Sequence, residues 1–369
     1  ARLEEIAGYL KEYQVDVMVV AGDLFSRYNR MEDIRDAISD VNRIFRPFLL
    51  SGGTILAISG NHDSEALFNM LRLALDMVHP IEPRIDAPRP LGRLYLAAQP
   101  AYLRLADKKG QQVQFALLPY PTLSRYLPGE QTKFASIDEK NRSLQTALRR
   151  KVEELKNRYI DPALPSVLVS HIHVRGTPVH NLYQISERED VVFEPEDIPA
   201  HWAYAAYGHI HKPQCVAGMS NARYAGSVER MDFSEQEVKS IVFLEIEDGQ
   251  REVEPVELAL NTTPLYRIEI NDPPNQLPGL RDRYPEPDRA IVSYTLRYVP
   301  GKQDPDAISA EIEAAFPRWC HREIIPIGFE TMPEPGRWDE QGTDFTATVL
   351  DYLRETIAGR PEQDELLGL

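Results

Sequence analysis

Only two cysteines, Cys215 and Cys320, occur in 369 residues. They are too few and too far apart for a disulfide framework or a thiolate metal site, and they fit a reducing compartment. No run of about eighteen apolar residues is present, which excludes an evident membrane-spanning helix. The expectation is therefore a soluble, cytoplasmic protein with no membrane role. Internal repeats and low-complexity tracts are also missing. Positive charge is scarce: 41 Lys+Arg stand against 57 Asp+Glu, a formal net of −16. A chain that held duplex nucleic acid by electrostatics alone would be basic, because phosphate neutralisation supplies most non-specific affinity. If nucleic acid is the substrate, metals, a local patch or a partner must supply the attraction. The acidic total is equally well explained by solubility. What the chain does have is 43% hydrophobic residues, enough to fill the core of two domains or of one large domain with an appendage.

Four short stretches repeat one design. Ile58-Ser59-Gly60-Asn61-His62-Asp63 follows the apolar, β-rich run Thr54 to Ile58 and precedes a helical pattern, so Asn61, His62 and Asp63 are expected on a strand-to-helix loop. Val15 to Phe25 is a second apolar run that leads into Gly22-Asp23. Val167 to His173 ends in His171 and His173, and Ala203 to His211 ends in His209 and His211. Each reads as a buried strand delivering Asp, Asn or His at its carboxyl end, where α/β folds place their chemistry. An Asx-type turn capping the next helix would explain one such stretch but not four.

Along the rest of the chain, Leu3, Ile6, Ala7, Leu10 and Tyr13 mark an amphipathic helix that opens directly at Ala1. A doubly wound domain seldom opens on a helix without its preceding strand, so a segment is expected to have been cut off. Helices are expected over Met31 to Leu50 and Ser64 to Val78, both so apolar that the excess surface is either core or a dimer seam. Leu94 to Leu105 and Gln111 to Pro119 read as paired strands, and Glu139 to Tyr159 as a solvated charged helix. Arg223 to Glu229, Lys239 to Glu247 and Glu252 to Leu260 continue as strands. Beyond a boundary near Asn261-Thr262-Thr263-Pro264, strands 266–270, 290–298 and 321–329 with helix 304–316 form a small α+β unit. A tail helix from Asp344 to Ile357 carries an apolar stripe of Phe345, Val349, Leu350 and Leu353. The domains are thus 1–264, 265–333 and 334–369. The pattern is two sheets packed between helices.

Hydrolysis of a phosphate ester at a dinuclear site needs a bridging carboxylate, neutral nitrogen and oxygen ligands for two cations roughly 3.5–4 Å apart, and a shared water. Asp23 suits the bridge. Asn61, His171 and His209 or His211 suit the other positions, and this mixture favours manganese, iron or zinc over calcium. His62 suits a general acid, with Asp63 orienting it. The alternation His209-Ile210-His211 places both imidazoles on one face of an extended segment. His173 is either a ligand or a hydrogen-bonded neighbour. His79, His180, His201 and His321 lack a strand-end context and receive no role.

Gly22-Asp23, Gly60-Asn61-His62-Asp63, Ser170-His171 and Gly208-His209-Ile210-His211 resemble the motifs of calcineurin-like metallophosphoesterases. More narrowly, Ala21-Gly22-Asp23-Leu24-Phe25, Gly208 to Gln214 and Ala225 to Phe233 resemble the SbcD family of nuclease subunits, over about the first 265 residues. The resemblance implies a four-layer β-sandwich flanked by helices with a small capping domain, and an α/β class. It further implies a nuclease, both exonuclease and endonuclease, that opens double-strand ends and hairpins in DNA repair and recombination at the nucleoid. Two divalent metal ions, manganese favoured, an SbcC-like ATPase partner, and a homodimer formed through the two apolar helices follow from it. So does a tail helix that docks on the partner. Family roles fall on Asp23 as bridging ligand, on Asn61, His171, His209 and His211 as ligands, and on His62 as the catalytic histidine. The family's opening Asp-x-His pair has no counterpart before Asp23, so the chain as written is expected to hold one ion poorly and to cleave weakly. Ser26 stands where the family often has an acidic residue. The rivals are a metallophosphoesterase on another phosphoester and a non-catalytic scaffold of the same complex.

Overall fold

The computed structural model describes residues 1–25, 30–78, 88–89, 91–107, 109–129, 133–178, 191–195 and 202–327. Helix α1 (Arg2–Glu12) leads into β1 (Val17–Val20), then α2 (Met31–Leu50), β2 (Thr54–Ile58), α3 (Glu65–Val78) and β3 (Leu94–Ala97). A second group follows: β4 (Ala101–Ala106), β5 (Gln112–Leu118), the single turn α4 (Leu123–Tyr126), the long α5 (Ile137–Tyr159), β6 (Ser166–His171), β7 (His173–Val174), β8 (Val192–Phe193), β9 (Tyr204–Gly208), β10 (Gln214–Val216) and β11 (Met219–Tyr224). Strands β12 (Ser240–Phe243) and β13 (Val256–Ala259) form a hairpin-like pair.

Side-chain alternation explains the layering. In β2, Ile55 and Ala57 face helices: Ile55 packs with Ile6, Leu10 and Phe45 of α1 and α2, and Ala57 with Phe68 of α3. Leu56 and Ile58 point the other way, into a core shared with Phe115 and Leu117 of β5, Val167 and Val169 of β6 and Tyr204 of β9. The alternate residues of those strands, Ala116, Leu118, Leu168, Ala205 and Tyr207, meet Leu144, Leu148, Val152 and Leu155 of α5. Because side chains on a strand alternate between faces, this gives four layers in the order helices, sheet, sheet, helix. One sheet has the order β1-β2-β3, all parallel. The other is β10-β11-β9-β6-β5-β4, with β5, β6, β9 and β11 parallel and both outer strands antiparallel to their neighbours. The α/β class and the two-sheet architecture are those the sequence pattern predicts.

Helix ends follow local chemistry. Ser136 caps α5, its Oγ accepting the Glu139 N–H at 3.1 Å. The expected single strand Leu94 to Leu105 is instead two strands in different sheets, because Pro100 removes a ladder donor between them. The expected strand Arg223 to Glu229 ends at Tyr224, two residues before Gly226 turns the chain out of extended geometry at φ +83°. On α2 and α3, Leu50, Met70, Leu73 and Met77 are exposed, Met77 to 85%, so this part of the apolar surface is not core.

The described residues divide into two compact units, Ala1–Tyr266 with Arg289–Ile291, and Arg267–Asp288 with residues 292–327. The second unit contains a sheet of β14 (Leu265–Ile270), β15 (Ile291–Tyr298) and β16 (Trp319–Pro326), joined by the short α6 (Pro273–Gln276) and by α7 (Pro305–Ala315). Ile312 and Phe316 are buried with Val292, Tyr294 and Leu296 of β15. The expected tail helix 344–357, and His79, His180, His201 and Ser26, lie outside the described residues. No helix among the described residues is long and apolar enough to cross a membrane.

Leu56 lies fully buried between the two sheets, so Leu56→Ala is expected to lower the stability of the first unit by about 2–5 kcal/mol. Met77→Ala on exposed α3 is expected to change it by less than about 0.5 kcal/mol, both read by chemical denaturation.

Candidate functional site

The carboxyl ends of β1, β2, β6 and β9 come together at one edge of the sandwich. From them project Asp23, Asn61, His171 and His209. His171 sits at the last position of β6 and is 1% exposed. Its Nδ1 lies 2.6 Å from the Ala21 carbonyl, which only accepts, so Nδ1 carries the proton and Nε2 presents its lone pair. That lone pair faces two more acceptors, Asn61 Oδ1 at 2.9 Å and Asp23 Oδ2 at 3.2 Å. His209 Nδ1 reaches the same Asn61 oxygen at 3.2 Å. Electron pairs aimed at one another repel unless a proton or a cation lies between them.

The arrangement fits a divalent cation. Ligand atoms ~2.1 Å from a common ion and at right angles to one another lie ~3 Å apart, close to the 2.9–3.2 Å seen here. The donor set, two imidazoles, an amide oxygen and a carboxylate, is that of a manganese, iron or zinc site. Among the described residues no group of three or more His, Cys, Asp or Glu side chains is placed to hold a metal ion, and here Asn61 Oδ1 links His171 to His209.

Close approach of the loops requires glycine. A Cβ at Gly22, where φ is +98°, would collide with the His171 ring, and one at Gly60 would collide with the Asp23 carboxylate. Asp23 itself holds φ +57° and His209 φ +90°, conformations disfavoured for side-chain-bearing residues and characteristic of functional sites. His209 has therefore left the extended path of β9, which ends at Gly208. The expectation that His209 and His211 share one face of an extended segment is corrected accordingly. Between them Ile210 is buried against the α5 side of the core, and the Nδ1 of His211 turns to Glu235 Oε1 at 3.5 Å. His173, 5% exposed on β7, has its ring centroid 6.4 Å from that of His209.

Burial would raise the Asp23 carboxyl, but positive charge at Nε2 of His171, which in the metal-free protein is a second proton on that ring, the His62 N–H donated to Oδ1 at 2.8 Å, and charge on His62 hold it down to about 2. The charged form favoured there is the one that binds cations. His62 thus hangs from a loop whose backbone is tied to Asp23. The role of Asp63 differs from the expected orientation of the His62 ring. Its Oδ2 accepts the N–H of Asp23 at 2.9 Å and of Gly60 at 2.7 Å, and its Oδ1 accepts the N–H of Phe25 at 2.7 Å. Both oxygens thus clamp the β1 loop to the β2 loop.

Sequence reasoning passed over two supporting residues. Arg125, 4% exposed, donates to Ser59 Oγ at 2.6 Å and to the Tyr120 carbonyl at 2.8 Å, and Tyr120 N–H donates to Ser59 O at 2.9 Å. This holds the base of the Asn61 loop. The Tyr120 ring lies 5.7 Å and 6.1 Å, centroid to centroid, from His209 and His171. The available signal was Pro119-Tyr120-Pro121 at the carboxyl end of β5, the same strand-end position that marked the other four stretches.

A sandwich of this layering, with acceptor side chains gathered at the carboxyl ends of its parallel strands, defines a class, and residues 1–213 match the model of the calcineurin-like phosphoesterase family. The chain belongs to that family. Within it, the chain is similar to the SbcD component of the SbcCD nuclease of Bacillus subtilis (strain 168), 27% identical over 262 residues, 67% of this chain and 60% of the relative. It is also similar to the corresponding SbcCD nuclease component of Escherichia coli (strain K12), 26% identical over 237 residues, 60% of this chain and 53% of the relative. The chain spans little more than half the length of these curated relatives.

Asp63→Asn is expected to loosen the clamp, since either amide orientation sets an NH2 against a backbone donor. The loss is about 1–3 kcal/mol, measured by urea denaturation of the metal-free protein.

Proposed function

We propose that this protein is the metal-dependent nuclease subunit of an SbcCD-like complex, cleaving DNA at double-strand ends and hairpins. The observation that carries the reading is the run of close contacts from Asp23 Oδ2 to His171 Nε2, from there to Asn61 Oδ1, and on to His209 Nδ1. In this reading these four residues hold one divalent ion, and Asp23 with His211 contributes to a second. Manganese is the favoured metal. The bound ions supply Lewis acidity toward the phosphodiester and a hydroxide-like nucleophile at neutral pH.

The chain's own groups do the rest. His62, fixed through its N–H to Asp23, delivers a proton to the leaving oxygen. Asp63 acts as a positioning residue by fixing both loops, and the Tyr120 ring walls one side of the pocket next to the two histidines. An SbcC-like ATPase supplies the basic DNA surface that a chain of net charge −16 lacks, which also reconciles acidic composition with a polyanionic substrate. The exposed Met70, Leu73 and Met77 of α3, with Leu50 at the end of α2, support a homodimer through these helices. Residues 265–333 serve as a capping domain and 334–369 as the docking segment for the ATPase.

The test is manganese-dependent cleavage of a hairpin-ended duplex by the full gene product with its ATPase partner and ATP. Cleavage that vanishes on chelation, and that falls by about 100- to 10,000-fold in His62→Ala, is the expected result. Metal-dependent hydrolysis of a small phosphodiester with no cleavage of any DNA end would sink the nuclease reading.

A further inference from the structure

The segment Ala225 to Lys239 has so far no task in the chemistry, yet it is packed against the loop that carries His211. Ser227 N–H donates to the His211 carbonyl at 3.0 Å, and Gly226 lies so close that a Cβ there would stand 2.8 Å from the same oxygen. Behind this loop lies a fully buried ion pair: Glu235 and Lys239 are both 0% exposed, with Lys239 Nζ 2.7 Å from Glu235 Oε2. Lys239 Nζ also bonds Glu237 Oε1 at 2.7 Å and the His211 carbonyl at 2.9 Å, so its three hydrogens meet three acceptors. The Met231 N–H donates to Glu235 Oε2 at 3.2 Å. Oε2 is thereby held between two donors, and Oε1 stands 3.5 Å from His211 Nδ1, an ion-pair distance rather than a formed hydrogen bond.

A buried pair of this kind is a poor device for stability. Desolvating two charges cancels most of their attraction, and apolar residues of the same volume do as well or better. What the pair does supply is direction. Where no cation lies between them, a carboxylate, which can only accept, draws the proton onto the ring nitrogen facing it, and the opposite nitrogen is left with its lone pair.

We propose that Glu235, anchored by Lys239, is a positioning residue that fixes His211 with its proton on Nδ1 and so presents Nε2 as the ligand atom for a metal ion. Lys239 adds to this by holding the His211 backbone through its carbonyl. The proposal rests on the metal-site reading for its purpose, while the tautomer it assigns is a property of the metal-free protein.

Glu235→Gln separates this role from a structural one. Lys239 Nζ and Met231 N–H both require an oxygen at the Oε2 position, so the glutamine NH2 must face His211 Nδ1. A donor now confronts the ring, and its proton must move to Nε2. The experiment uses the full gene product with 15N-labelled histidine and no metal, His211 being assigned by its loss in His211→Ala. Long-range proton–nitrogen correlation is expected to show the Nδ1–H tautomer in the wild type and the Nε2–H tautomer in Glu235→Gln. Calorimetric titration with Mn2+ is expected to show one ion bound about 10- to 100-fold more weakly in Glu235→Gln. A wild-type ring protonated at Nε2, or the same tautomer in both proteins, overturns the proposal. If Glu235→Gln does not fold, the wild-type tautomer alone decides. His209→Ala serves as the control for the metal reading. Weakened Mn2+ binding there with unchanged binding in Glu235→Gln overturns the positioning role alone. Absence of Mn2+ binding in the wild type overturns the metal reading and leaves the tautomer to decide the positioning role.

Discussion

Two loops leave neighbouring parallel strands, and each has backbone N–H groups that no strand or helix satisfies. Asp63 takes three of them, from Asp23, Phe25 and Gly60. Buried unpaired amides would each cost about 1–3 kcal/mol, so this single carboxylate both makes the loop pair tolerable and sets where Asp23, Asn61 and His62 stand. The site depends on it more than on any one of the groups expected to meet a ligand. The same constraint accounts for the strain nearby: with the loops drawn together, Asp23 adopts a positive φ, and Gly22 and Gly60 leave no room for a Cβ.

The electrostatics of the site run against those of an ordinary folded interior. His171 Nε2, with its proton on the other nitrogen, faces the acceptor atoms Asn61 Oδ1 and Asp23 Oδ2 at hydrogen-bonding distance, whereas interiors normally pair acceptors with donors. The fold tolerates this because the surrounding anchors are bonded: His171 Nδ1 to Ala21, Asp23 Oδ1 to His62 N–H, Ser59 and Tyr120 to Arg125. A rigid outer frame around converging acceptors is the mark of a place prepared for a cation. The buried Glu235–Lys239 pair behind His211 extends that frame to the far side of the β9 loop.

A large part of this was legible in the chain itself. Alternation and apolar runs marked the strands, and the strands placed Asp, Asn and His at their carboxyl ends, because strand polarity and the period of two are local properties of the backbone. Helix boundaries at Met31–Leu50 and near Ile137–Tyr159 were also local, set by apolar spacing and by the Ser136 cap. Local pattern did not tell that Leu94–Ala97 and Ala101–Ala106 belong to different sheets, since which partner a strand pairs with is decided by residues far away in sequence.

Residue types at strand ends announced a metal site; only the tertiary structure decided how the members divide. His209 departs from its strand at φ +90° while His211 turns toward Glu235, two fates that the alternation His-Ile-His cannot distinguish. Asp63 became a backbone clamp, and Arg125, Glu235 and Lys239 acquired their partners across 66, 24 and 28 positions of chain. Sequence determines which groups can bind a cation through their chemistry, which is intrinsic to each side chain. Which of them meet, and which instead hold the others in place, is settled by distances between segments that touch only after folding.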